Sequence, residues 1–347
     1  MAAVSIPPRT LLRASSCVYY APMPRRDALA ATLEQLSTAR ADPRSRESLA
    51  LLRKVLAGRS SHAAAKAAEI VGESEVEALV PDLVAAFERF AETPVKSDPG
   101  CAAKSAIAEA LYRIGAAEID LYLKGIHHVQ LEPVWGGRAD TAVDLRGVCA
   151  LALVRVHYPE YLTEIADLLA DREPAARRAA AQALAYSENP AAVPLLRLKA
   201  LVGDDDASVL SECLLALLRI AGAESIAFVG RFFNSPSEAV NEAAALALGS
   251  SRLREAFPVL KGWTEALADT ALRRSGLLAI AMLKQDEAID YLLALVAEAA
   301  PLQAREAIQA LAVYRHDDKL REQVDTAVKR RADKALGPYF KEVFDAR

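Results

Sequence analysis

Eight segments of the chain repeat one arrangement of small, apolar and polar positions. They read AAKAAEIVG (64–72), KSAIAEALYRIG (104–115), LRGVCALALVRV (145–156), ARRAAAQALAYS (176–187), VLSECLLALLRI (209–220), VNEAAALALGSS (240–251), LRRSGLLAIAML (272–283) and AREAIQALAVYR (304–315). An alanine anchors each of them: Ala67, Ala110, Ala152, Ala183, Ala216, Ala247, Ala279 and Ala310. Successive anchors stand 43, 42, 31, 33, 31, 32 and 31 residues apart. A period in that range signals stacked structural repeats and outranks any residue-by-residue reading.

The pattern within one unit predicts a helix. Cys149, Ala180, Cys213, Ala244, Gly276 and Ala307 sit three residues before their anchors, and Leu111, Leu153, Leu184, Leu217, Leu248, Ile280 and Leu311 sit one after. Residues three apart share a helix face, and small side chains there let a neighbouring helix approach closely. A turn follows, often with Gly115, Asn189-Pro190 or Gly222, and then a second apolar helix such as VPLLRLKAL (193–201), AFPVLKGWTEAL (256–267) or AIDYLLALVAEA (288–299). Pro194 and Pro258 fall eleven residues after their anchors, in the first turn of that helix, where a missing N–H costs nothing. One helical pair cannot bury its own apolar face, so the core arises only by stacking. The fold expected is all-α, an α-solenoid, with no strand in the last two-thirds of the chain.

Charge adds a second regularity. Asp98 and Lys104, Asp140 and Arg146, and Asp171 and Arg177 are each six residues apart, the acid in a turn and the base at a helix start. A cation there opposes the helix dipole, so an acidic partner is the natural compensation. Where Leu210 replaces the base, Asp204 remains. This turn pattern, with the VRxxAaxAL-like segments, resembles the HEAT repeat, especially its short bacterial form related to phycobilin-lyase repeats. The resemblance covers residues 60–315 and implies a superhelix of stacked antiparallel helix pairs. It implies an architecture more than an activity, because the family serves many roles.

The first two intervals carry about ten extra residues each, and these fall at 92–100 (ETPVKSDPG) and 125–140 (GIHHVQLEPVWGGRAD). Residues 27–59 read as capping helices (LAATLEQL, SLALLRKVL), and 316–347 as a polar closing helix, LREQVDTAVKRRADKAL, with a tail. Residues 1–26 hold Arg9, Arg13, Arg25 and Arg26 and no acid. They fit a flexible basic tail, with a transit peptide or translation from Met23 as alternatives.

Composition narrows the function. At 53% apolar, 25% charged and 6% aromatic, the chain is neither disordered nor a β-sandwich. Its longest uncharged run, eleven residues at 14–24, is too short to span a bilayer. The net charge is −4, and with the basic tail set aside residues 27–347 stand at −8, which argues against nucleic acid as a partner. The four cysteines form no CxxC pair, which points to a reducing, cytoplasmic setting, and Cys149 and Cys213 belong to the small-residue core row.

Two sets of candidate binding residues remain. The second insertion gathers His127, His128, Glu132, Trp135, Gly136-Gly137 and Arg138. Three readings stay open: a cover in which Trp135 and Val129 pack over adjoining repeats, a partner-binding loop, or a metal or catalytic site if the histidines and Glu132 converge. The other set is a row of helix-start residues, Arg178, Glu212, Glu242, Arg274 and Arg305, mixed in sign and therefore better suited to a protein than to a phosphate backbone. Lys104, Arg146 and Arg177 are assigned to the turn ladder, which leaves Arg178 and Arg274 free for a partner. His157-Tyr158 reads as a turn or cap, and Trp263 as core.

No GxGxxG, P-loop, GxSxG or HExxH sequence occurs, so no catalytic residue, cofactor or metal ligand is assigned. The leading expectation is a non-catalytic scaffold that binds a protein through the helix row and the 125–140 loop. The alternative is a HEAT-like enzyme or accessory factor. A bilin-lyase-like role is neither excluded nor supported by any residue, and a DNA-glycosylase-like role is disfavoured by the acidic pI of about 5.9 and the mixed row. A deoxyhypusine-hydroxylase-like role is rejected, because none of the five histidines is followed by glutamate.

Overall fold

The computed structural model describes residues 24–345 apart from 332 and 334. The expectations about residues 1–23, Cys17 and Met23 among them, lie outside the described residues. The helix α1 (Pro24–Ala39) already includes Pro24, Arg25 and Arg26, which the sequence reading gave to the tail. Helix α2 (Arg46–Leu56) follows, its first turn capped by the Ser45 side chain.

Eight helix pairs come next. They are α3 (Ser61–Glu73) with α4 (Val80–Glu92), α6 (Ala102–Ile114) with α7 (Ile119–Ile126), and α8 (Val143–Arg155) with α9 (Tyr161–Leu168). The short helix α5 (Pro94–Ser97) lies in the first insertion. Then follow α10 (Pro174–Ser187) with α11 (Val193–Val202), α12 (Ala207–Ala221) with α13 (Ile226–Gly230), and α14 (Glu238–Ser251) with α15 (Ala256–Ala266). The last pairs are α16 (Thr270–Met282) with α17 (Asp286–Glu298), and α18 (Pro301–Leu311) with α19 (Asp318–Lys329), before α20 (Leu336–Asp345). The closing stretch thus forms two helices instead of the one expected over LREQVDTAVKRRADKAL, since α19 stops at Lys329.

The anchor alanines explain how the units join. Helix α3 packs on α6, α6 on α8, and so on along the even-numbered row to α18 and α20. All eight anchors are buried, as are Cys149, Cys213 and every one of the aliphatic residues that follow them from Leu111 to Leu311. The approach is backbone to backbone in places. A Cβ on Gly72 would fall 2.7 Å from Ala110 Cα, and one on Gly249 would fall 2.8 Å from Ala279 Cα. A side chain at either glycine would push the helices apart, so Gly72 and Gly249 are set by the close approach of the anchor backbones. Left-handed residues end most anchor helices: Gly115, His157, Glu188, Arg252 and Lys284 each lie five positions past their anchor. His157 therefore caps α8, as the sequence suggested.

Ala207–Asn234 is long and apolar enough to cross a bilayer by length and composition. It is broken at Gly222, where φ is +54°, and half of its most apolar window is buried inside the protein.

The expectation of no strands after the first third fails at one place. The second insertion is a β-hairpin, β1 (Leu131–Val134) paired antiparallel with β2 (Gly137–Asp140), in the register Leu131↔Asp140 to Val134↔Gly137. Val-Gln-Leu-Glu alternates apolar and polar residues, and Trp135-Gly136 closes a two-residue turn in which Gly136 takes φ +90°. That angle suits glycine at the third position of a tight turn.

Candidate partner-binding surface

A buried polar network seats the hairpin. Asp98 accepts the N–H groups of Ala103 and Lys104 at 2.9 and 3.0 Å, capping the start of α6, and takes the Lys104 ammonium at 2.9 Å. Both side chains of this pair are fully buried. The Gln130 amide, buried as well, donates to the Asp98 carbonyl at 2.8 Å and to Glu132 Oε1 at 2.6 Å. Glu132 Oε1 also accepts from Gly100 N at 2.7 Å and Thr141 Oγ1 at 2.8 Å, which ties the two insertions together. The Gln130 amide, then the Thr141 hydroxyl and the Gly100 N–H, hold the Glu132 carboxyl below its ordinary pKa.

Asp140 closes the base. Its carboxylate accepts from Gln130 N at 3.1 Å, Ala142 N at 3.0 Å and Arg146 Nη1 at 2.7 Å. Burial alone would push this carboxyl up, but those N–H groups and the guanidinium reverse it and hold it below the usual range. Arg146 also donates to the His128 carbonyl at 2.8 Å and pairs through Nε with Asp171 at 3.0 Å.

The turn ladder therefore differs from its sequence reading in one rung. Arg177 takes Asp204 of the next turn at 2.7 Å and reaches Asp171 through the backbone carbonyl, at 2.9 Å. The Asp171 carboxylate belongs to Arg146 from the preceding repeat. A guanidinium at a helix start is long enough to cross to the next turn, so the ladder links repeats as well as closing each one. Asp204, shared with Lys199 at 2.8 Å, is driven far below the carboxylate range by these cations, against the opposing effect of burial.

The tip of the hairpin is free of this network. Trp135 is 103% exposed, and Val129, Leu131 and Val134 are exposed too. The cover reading is contradicted: neither Trp135 nor Val129 packs over the repeats, because the paired strands carry the turn away from them. The histidines do not converge on Glu132 either. His127 is exposed and meets Glu164 at 2.7 Å, while His128 meets Gln130 Oε1 at 3.3 Å and is held below its ordinary pKa, first by burial. No group of three or more His, Cys, Asp or Glu among the described residues could hold a metal ion. Glu132, named as a binding candidate, is instead spent on internal hydrogen bonds. Arg138 is exposed and donates through Nη2 to the Leu131 carbonyl at 3.0 Å.

The helix-start row divides. Arg178 is exposed, and its charge lies close enough to Asp206 to favour that carboxylate. Arg274, expected to be free, stands 3.7 Å from Glu306, whose closer partner is Arg273 at 2.8 Å. Glu242 accepts from Ser275 Oγ at 2.8 Å, and Arg305 lies over the Tyr339 ring at 5.2 Å. Glu212 is half-buried and sits one position out of step, since Ser211 occupies the equivalent place before Ala216.

Some features escaped the sequence reading. Gln130 and Gly100, which lock the hairpin base, have no counterpart in the other repeats and no motif around them. Beyond the hairpin, Arg155 lies over the Tyr112 ring at 5.1 Å and donates to the Arg113 carbonyl at 3.3 Å. Trp263 stacks on Phe233 at 4.3 Å, half-buried, as a core residue would. Cys213 is buried, and burial pushes its thiol up to about 12, which makes it inert.

A family model for HEAT repeats matches residues 233–312. Residues 233–312 carry HEAT repeats. The matched HEAT units span α14 to α18 and stop short of both insertions. Among solved structures, a chain from the complex of CpcE and CpcF of phycocyanin lyase from Nostoc sp. PCC7120 is similar at 19% identity, with a TM-score of 0.34, over 67% of this chain and 91% of that one. No curated protein matches the sequence.

Proposed function

We propose that this HEAT-repeat chain is a non-catalytic scaffold that binds a protein, with the hairpin tip as its anchor. The carrying observation is Trp135, an entirely exposed indole on a hairpin whose base is locked by buried hydrogen bonds. An exposed apolar tip gives the fold nothing, and tryptophan is enriched among residues that dominate interfaces. A base already fixed lowers the ordering cost of association. Arg178 and Arg305, exposed on the helix row, extend the proposed surface. A cytoplasmic setting belongs to the same proposal. The lyase-like alternative rests on resemblance alone.

Affinity capture from the source cell with wild type and Trp135→Ala tests this reading. One protein captured by wild type and reduced about tenfold or more by the substitution is the expected result. Equal capture overturns it. So does tight, salt-sensitive binding of duplex DNA at low salt, which the mixed charge of the helix row opposes.

A further inference from the structure

We infer that the outer edge of β2 is a docking site for an extended, acid-bearing segment of a partner protein, which adds as a third strand to the hairpin. This deepens the scaffold reading and rests on it.

The register fixes which backbone groups face outward. Thr141 N donates to the Gln130 carbonyl at 2.9 Å, so Gln130 and Thr141 form a hydrogen-bonded pair one step beyond the strands. Antiparallel pairs alternate between bonded and non-bonded. Glu132↔Ala139 and Val134↔Gly137 are then the bonded pairs, and Leu131↔Asp140 and Pro133↔Arg138 the non-bonded ones. Backbone groups of Leu131 and Pro133 point outward on one edge, and those of Arg138 and Asp140 on the other.

The two edges are treated differently. On β1, Pro133 has no N–H to offer, and the Leu131 carbonyl is already taken by Arg138 Nη2. These are devices by which proteins blunt a strand edge against pairing. On β2, no hydrogen bond among the described residues engages the N–H or C=O of Arg138 or Asp140 from outside the hairpin, and of the two Arg138 is exposed while Asp140 is half-buried. One edge is closed and the other is left ready for strand addition.

Charge selects the occupant. The Arg138 side chain is exposed and spends one donor on a neutral carbonyl, keeping its charge for a neighbour. Leu131, Pro133, Arg138 and Asp140 share one face of the hairpin, because alternate residues and cross-strand partners lie on one side, and the Asp140 carboxylate is already taken by Arg146. An added strand lies directly beside Arg138 and Asp140, with an acidic side chain next to Arg138 and an apolar one toward the Trp135 turn.

The test selects random twelve-residue peptides on the full chain and measures the binders as free peptides. N-methylation at alternate amides of a binder should weaken it about tenfold per site, with the intervening amides indifferent. Glutamate-to-glutamine changes in the binder should weaken wild type more than Arg138→Ala. Arg138→Pro removes an edge N–H that the hairpin does not use, and should lose about tenfold in binding with an unchanged unfolding midpoint. Because the N-methyl series uses the unaltered protein, it decides the matter even where Arg138→Pro disturbs the fold. Binders indifferent to N-methylation but lost on Trp135→Ala overturn strand addition and leave the scaffold reading standing. Binders indifferent to both overturn both, and failure to select any extended binder overturns strand addition. A concentration-dependent dimer abolished by Arg138→Pro assigns the edge to a second copy and also overturns the proposal.

Discussion

The units up to α12 and those from α14 to α18 are built from the same helix with the same alanine anchor, yet they are fastened differently. In three units of the first region, α6, α8 and α10, the residue six before the anchor is Lys104, Arg146 or Arg177, and each meets a carboxylate in its own turn or the next one. At the junction this position holds Leu210 and then the buried Asn241, and the ladder stops. It resumes as Arg273, whose partner Glu306 lies on α18 instead of in a turn. Both insertions fall in the first region, and the family match, residues 233–312, covers the second. Buried ion pairs are weak sources of net stability but can fix one arrangement against others. Here they fix the base of the hairpin. The regular units carry the HEAT-repeat match, and the fastened ones carry both insertions.

Removing a ladder base should separate the two regions most sharply. Lys104→Ala leaves Asp98 buried and unpaired and should cost about 3–5 kcal/mol in denaturant unfolding. Arg273→Ala should cost less, about 1–3 kcal/mol, because Arg274 stands near enough to Glu306 to take over part of its charge. Equal costs would erase the distinction.

Acid should divide the regions in the same order. Asp140, Asp204 and Glu132 all have carboxyls held below their ordinary range in the folded chain. Such groups contribute stability above the unfolded value, about 4, and lose it as pH falls through the depressed folded values. Amide hydrogen exchange below about pH 4 should therefore show α6 to α12 and the hairpin base losing protection before α14 to α18. Loss in the opposite order would contradict it.

The smallest expected effect is also the most specific. Trp135→Ala should leave stability within about 0.5 kcal/mol of wild type, since the indole touches no core. A larger loss, measured by the same unfolding experiment, would return the tip to a structural role.

The stacked helices were legible in the sequence because periodicity is a local property repeated many times. One unit's ambiguity is resolved by the other seven. The hairpin was harder to read. Alternation over Val129–Glu132 spans too few residues, Pro133 argues against a strand, and the contacts that seat it join Gly100 to Glu132 across 32 residues with no sequence signature. Spacing found the bases and acids of the ladder, but it could not show that Arg177 crosses to Asp204, since partner choice depends on how repeats stack. Glu132 illustrates the same limit. As a carboxylate in an unusual loop it resembled a ligand, and its neighbours in space turned it into a staple.

The exposed indole can be tested directly, because the chain has two tryptophans and the other, Trp263, is packed on Phe233. In a Trp263→Phe variant the remaining emission comes from Trp135. It should match that of a fully solvated indole in the folded protein, with iodide quenching unchanged on unfolding, and shift to the blue when the captured partner is added. Emission already shifted to the blue and shielded from iodide in the free, folded chain would contradict the idea that this hairpin waits for a partner.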